Sequence, residues 1–120
     1  MLIHELSKMT GISVHTIRFY EKSGLISGKR DETIKSNNYF HYDEETAEKL
    51  EFISDAKSVG FTIREIGQII DAWYNNNYSK DEKVELLDQK LISLEQKLKE
   101  IKDMKKQISK FKEDVLNDRC

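Results

Sequence analysis

Proline is absent from this sequence, cysteine occurs once, and no apolar run exceeds a few residues. Each absence excludes something. A chain whose apolar stretches fall far short of the about 20 residues needed to cross a bilayer is expected to have no membrane span. The opening Met1-Leu2-Ile3-His4-Glu5 carries a charge where a secretory signal needs a hydrophobic block, so a cytoplasmic protein is expected. Cys120 alone can form no intrachain disulfide, and the multi-cysteine spacing of a structural zinc site is missing. Without proline, turns have to be read from Gly, Asn and Ser. At 120 residues, with 35% charged and 38% hydrophobic residues, the chain has room for a limited core and none for a second large catalytic domain.

A surplus of basic charge is also missing. The net charge of −2 argues against a nucleic-acid partner until its distribution is considered. Lys8, Arg18, Lys22, Lys29, Arg30 and Lys35 lie in the first third, whereas acids crowd residues 43–51 and the C-terminal region. A local basic face on an acidic protein is therefore compatible with the composition.

What is present is clear punctuation. Thr10-Gly11 ends a short helix over Ile3 to Met9, Ser13 caps a second over Val14 to Lys22, and Ser23-Gly24 closes it. Two short helices separated by a glycine turn have helix-turn-helix spacing. From Leu25 to Tyr42 the pattern turns irregular, then rich in strand formers at Tyr39-Phe40-His41-Tyr42, which predicts a small two-stranded wing. Asp43 caps a third helix, Glu44 to Val59, with Leu50, Ile53 and Ala56 on one stripe, and Gly60 stops it. Thr62 opens a fourth, Ile63 to Trp73, and Asn75-Asn76-Asn77 breaks the chain before a helix from Lys80 to Asn117.

That last helix is far longer than the globular average. Leu87, Leu94, Ile101, Ile108 and Val115 recur every seven residues, and Val84, Leu91 and Leu98 fill the companion register of a coiled-coil seam. Its partner is expected to be the same helix of a second copy, parallel or antiparallel about a two-fold axis. At Lys105 and Lys112 the companion position turns polar, with Met104 and Phe111 one residue earlier, so the strict zipper is expected to end near Ile101. The expected architecture is mainly α: a winged helix-turn-helix domain over residues 1–74, a linker over 75–79 and a coiled-coil dimerisation helix over 80–118. The dimer contacts are assigned to Val84, Leu87, Leu91, Leu94, Leu98, Ile101 and Ile108.

With these motifs placed, the sequence resembles the MerR family of bacterial transcription regulators over essentially its whole length. The resemblance is carried by Ile3 to Ser13, by Thr16-Ile17-Arg18-Phe19-Tyr20-Glu21-Lys22-Ser23-Gly24-Leu25-Ile26, and by a second stretch with Phe52-Ile53, Ala56-Lys57, Val59-Gly60-Phe61-Thr62-Ile63 and Glu65-Ile66. It implies a homodimer on double-stranded promoter DNA. The operator would be an inverted repeat in an overlong promoter spacer, which the activated dimer distorts so that RNA polymerase can engage. Physical reasoning divides the second helix: Val14, Ile17 and Tyr20 turn toward the core, and Ser13, His15, Thr16, Arg18 and Phe19 toward the major groove. Arg18 is the first choice for a phosphate or guanine contact, with Lys22 beside it, and the Tyr20 hydroxyl is also assigned a reach to phosphate. The family's wing usually carries an arginine where this chain has Phe40, so backbone contacts are expected from Lys29, Arg30, Lys35 or His41, while Tyr39 and Tyr42 keep their places.

Metal-sensing members of that family place a cysteine near the start of the dimer helix, where this chain has Ser79-Lys80. No metal site and no cofactor are therefore expected; Cys120 reads as a solvated terminal thiol, and His4 as a lone surface histidine. Trp73, Tyr74 and Tyr78 form an aromatic cluster that is either a pocket for an unidentified small effector or junction packing. His4, His15 and His41 show no nucleophile–base spacing and no phosphate loop is present, so no enzyme is expected. The rival function is a coiled-coil adaptor whose front module docks a protein, a reading that needs a non-basic outer face on the second helix.

Overall fold

The computed structural model describes residues 1–30, 40–75 and 78–119, the side chain of Arg30 excepted. The predicted positions Lys35, Tyr39 and Cys120 lie outside the described residues. Among the described residues, five helices and a two-stranded ribbon follow one another as α1 (Ile3–Thr10), α2 (Val14–Lys22), β1 (Lys29–Arg30), β2 (Phe40–His41), α3 (Glu44–Ser58), α4 (Ile63–Tyr74) and α5 (Lys80–Leu116). The chain divides into two compact units, Met1–Tyr78 and Ser79–Cys120. No described helix is long and apolar enough to cross a membrane.

The helix ends are set by local chemistry. Ser13, Asp43, Thr62 and Ser79 each turn a side-chain oxygen onto an otherwise unpaired N–H of the first turn, that of Thr16, Thr46, Glu65 and Glu82 respectively. Thr62 and Ser79 are completed into capping boxes by Glu65 and Glu82. α2 and α3 close with the same C-terminal motif. After α2 the N–H of Gly24 donates to Glu21 O and that of Leu25 to Tyr20 O; after α3, Gly60 donates to Lys57 O and Phe61 to Ala56 O. This closure requires a left-handed residue, and Gly24 and Gly60 supply it at φ of 82° and 92°. The observed ends differ from the expected ones by one residue at most, within ordinary fraying.

In the first unit α1 packs on α2 and α3, and α3 on α4. Leu6, Ile17, Leu50, Ile53 and Ile66 are fully buried between them, each such side chain contributing about 1.5–3 kcal/mol. Tyr20, Leu25, Ile26 and Tyr42 extend this core toward the wing. The ribbon is antiparallel, pairing Lys29 with His41 and Arg30 with Phe40. At its described end the strand stops one residue before the predicted one, because Tyr42 bonds to Met1 instead. Its N–H donates to Met1 O at 2.7 Å, and the Met1 ammonium donates to Tyr42 O at 2.8 Å. The first residue of the chain thus satisfies both backbone groups of Tyr42.

Asp43 has a consequence for acid stability. Hydrogen bonds from the Thr46 N–H and hydroxyl hold its carboxyl below the ordinary value of 3.8. A carboxylate depressed on folding contributes stability above its unfolded value and loses it as pH falls through the folded one. Asp43→Asn keeps a cap but removes that titration. Melting temperatures followed from pH about 6 to about 2 should converge on wild type at the acid end and lie below it near neutrality.

Candidate nucleic-acid interface

α2 has two unlike faces. Ile17 and Tyr20 are buried and Val14 is half-buried, which fixes the helix on α1 and the core. His15, Arg18, Phe19 and Lys22 are exposed and stand three or four residues apart, so they form one stripe on the opposite side. The periodicity produces this division directly: positions 14, 17, 20 and 21 point one way, and 15, 18, 19 and 22 the other.

The site residues behave differently within this frame. Ser13 is exposed, but its hydroxyl is engaged in capping α2, accepting from the Thr16 N–H at 3.1 Å and donating to Thr16 Oγ1 at 2.9 Å. Ser13 and Thr16 therefore shape the helix start as well as facing outward. Phe19 remains 48% exposed, an aromatic ring on a polar face, and meets the Tyr20 ring at 5.9 Å. Tyr20 is only 6% exposed, and burial pushes its phenol up, so its ring belongs to the core as expected.

In the wing, Lys29 and His41 are directly paired across β1 and β2 and so share a face, both exposed. They line an open hollow of about 340 Å³ with Ser27, Tyr42, Asp43, Glu45, Thr46 and Lys49, between the ribbon and the start of α3. Phe40 is 40% exposed. Lys49 is held at the far side by Glu45, 3.6 Å away, and by the Tyr74 ring, 5.0 Å from its ammonium.

One contact was not anticipated from sequence. The Tyr42 hydroxyl donates to Glu21 on α2, at 2.7 Å and 3.1 Å from the two carboxylate oxygens. Burial, the Glu21 hydrogen bond and its negative charge all push the Tyr42 phenol well above its usual range, with Arg18 acting weakly in the opposite sense. The available signal was Tyr42 keeping its place in the wing pattern; nothing local ties it to a residue 21 positions earlier.

The residues of the aromatic cluster have packing neighbours. Trp73 lies against Phe52 with ring centroids 6.4 Å apart, and Tyr74 packs on the hydrophobic core beneath Lys49. Tyr78 is half-buried. On α5, Val84, Leu87, Leu91, Leu94, Leu98, Ile101 and Ile108 are all exposed, from 38% at Leu94 to 63% at Ile108, so the seven-residue stripe is uncovered in a single chain. Ser79, at the place where a metal-sensing relative would carry cysteine, is the N-cap of α5. Among the described residues no group of three or more His, Cys, Asp or Glu could hold a metal ion.

Comparison with known proteins agrees with this geometry. A probable heavy metal-dependent transcriptional regulator of Haemophilus influenzae is 38% identical over 71 residues, covering 58% of this chain and 52% of that protein. The HTH-type transcriptional regulator CueR of Escherichia coli is 31% identical over 90 residues, covering 74% of this chain and 64% of the relative. The chain thus spans roughly half to two thirds of the length of these curated relatives. A transcription regulator from Ralstonia metallidurans, solved in complex with lead(II), superposes with a TM-score of 0.77 at 28% identity, over 90% of this chain and 82% of that one. Residues 1–73 match the profile described as MerR HTH family regulatory protein, and residues 47–111 match that described as MerR, DNA binding. An exposed basic stripe on the second helix, a short wing and a long final helix with an uncovered apolar seam coincide with those two matches, and the chain belongs to the MerR family.

Proposed function

We propose that this protein is a sequence-specific DNA-binding transcription regulator that works as a homodimer. The observation that carries this reading is the outer face of α2, where His15, Arg18, Phe19 and Lys22 stand exposed on one stripe while the opposite face is buried. A helix of this width enters the major groove, where arginine and lysine meet base edges or phosphates. Lys29, Arg30 and His41 of the wing serve the neighbouring backbone. Two such modules related by a two-fold axis read an inverted repeat, and distortion of the promoter spacer between them lets RNA polymerase engage. Its role is regulatory rather than catalytic, its setting is the cytoplasm at the nucleoid, and its signal is unidentified.

The dimer is assigned to α5, with residues 1–74 as the DNA-binding domain, 75–79 as linker and 80–118 as the dimerisation segment. A helix of 37 residues is about 55 Å long, and its apolar stripe needs a partner of similar length. Charge favours the antiparallel arrangement. Residues 80–96 hold three lysines and five acids, whereas residues 97–112 hold seven lysines and two acids. Antiparallel pairing sets the acidic half of one helix against the lysine-rich half of the other, and parallel pairing sets like against like.

The test is binding of the purified protein to its own promoter region at two salt concentrations, with a mass measurement of the free protein. A dimer should bind with log K falling by about 0.9 per decade of salt for each phosphate neutralised. Absent or salt-insensitive binding by an intact dimer would favour the adaptor reading instead.

A further inference from the structure

The pairing of Lys29 with His41 and of Arg30 with Phe40 joins the two strands to each other and does not by itself fix where the ribbon stands beside α2. Yet wing cations can meet phosphates in step with α2 only if the ribbon stands at a fixed place beside that helix. Tyr42, the first residue beyond β2, is constrained on every side. Both its backbone groups are bonded to Met1, and it is 5% exposed. Its ring occupies the space beside Gly28, where an added Cβ would lie 2.8 Å from Tyr42 Cε1. Its hydroxyl reaches across to Glu21 of α2.

We propose that the Tyr42–Glu21 hydrogen bond holds the wing in step with the recognition helix, making both of them positioning residues for the wing's phosphate contacts. The inference rests on the DNA-binding reading above and names how its two contact elements are coupled. Glu21 is the one acid within Val14–Lys22, and a carboxylate on a helix facing phosphates is repulsive unless something turns it away. Its place on the helix turns it to the same side as Ile17 and Tyr20, and the hydrogen bond from the Tyr42 hydroxyl holds it there.

The isosteric change Tyr42→Phe leaves the ring beside Gly28 and both Met1 bonds in place and removes only the hydroxyl. The experiment compares wild type, Tyr42→Phe, Glu21→Ala, Glu21→Gln and the Tyr42→Phe/Glu21→Ala double variant. The probe is inverted-repeat duplex DNA selected by the wild-type dimer from a randomised pool. Losing one charge-assisted bond should weaken affinity about tenfold in either Tyr42→Phe or Glu21→Ala. Hydroxyl-radical protection should disappear at the wing-facing phosphates, while base preference within each half-site persists. Glu21→Gln, whose amide oxygen still accepts, should fall between, and the double variant should be no worse than the poorer single one.

Wild-type affinity and complete wing protection in Tyr42→Phe would overturn the proposal. A loss spread evenly over all contacts, in proportion to a fall in melting temperature, would also overturn it, because that marks a structural role only. If Tyr42→Phe does not fold, Glu21→Ala decides, since Glu21 is half-buried and its truncation leaves the Tyr42 ring packed. Failure of the wild type to select any sequence would overturn the DNA-binding reading itself, and with it this inference, an outcome distinct from selection followed by an indifferent variant.

Discussion

Arg18→Ala should abolish specific operator binding while leaving a folded dimer. Arg18 is exposed on α2 and contributes nothing to the core formed by Leu6, Ile17, Leu50, Ile53 and Ile66. A surface substitution of this kind changes stability by about 0.5 kcal/mol at most. Its effect on binding is larger because an arginine bonded to a guanine edge or phosphate is worth about 1–3 kcal/mol, and the two-fold dimer loses two of them. The expected loss is about 2–6 kcal/mol, or roughly 30-fold to more than 10,000-fold in affinity. Titration of wild type and variant against the same operator and a scrambled duplex separates two modes. A base contact would reduce the ratio of specific to nonspecific affinity. A phosphate contact would weaken both and lower the salt slope by about one per subunit. Unchanged affinity would remove α2 as the reading element.

Leu98→Glu should convert the dimer into monomers. Leu98 is 53% exposed in the single chain, so its replacement costs little within one copy. In the proposed dimer the same position lies in the seam with Leu94 and Ile101, and each copy would lose a buried leucine and gain a carboxylate with no partner. Truncation of a buried leucine alone costs about 2–5 kcal/mol, and the symmetry of the interface counts it twice. That is comparable with the whole free energy of a micromolar dimer, about 8 kcal/mol. Sedimentation equilibrium should report a monomer, and operator binding should fall with it although the α2 face is unchanged. A dimer that persists would move the seam away from the Val84–Ile101 stripe.

The two variants separate the halves of the mechanism: one removes a contact and keeps the geometry, the other removes the geometry and keeps the contact. Tyr42→Phe falls between them, because it keeps the fold and the contact residues and alters only how the wing stands beside α2.

Much of this was legible in the sequence because the relevant physics is local. A cap needs one oxygen and an N–H three residues on, so Ser13, Asp43, Thr62 and Ser79 announce their helices. A left-handed closure needs a glycine, and Gly24 and Gly60 mark it. The face of α2 follows from a period of 3.6 residues, and the seam of α5 from a period of seven. Tertiary structure decided what depends on partners distant in sequence. Tyr20 is joined in one core to Leu25, Ile26, Tyr42, Leu50 and Ile66, residues spread over 46 positions of the chain. The neighbours of Trp73 and Tyr74, Phe52 and Lys49, likewise come from more than 20 residues earlier in the chain. The wing stops at His41 because Met1, 41 residues away, takes the backbone groups of Tyr42, and its tie to α2 runs through Glu21, 21 residues away. Periodicity and capping are properties of neighbouring residues and so can be read along the chain. Which side chain meets a distant one depends on how helices and ribbon are set against each other, and only the folded core determines that.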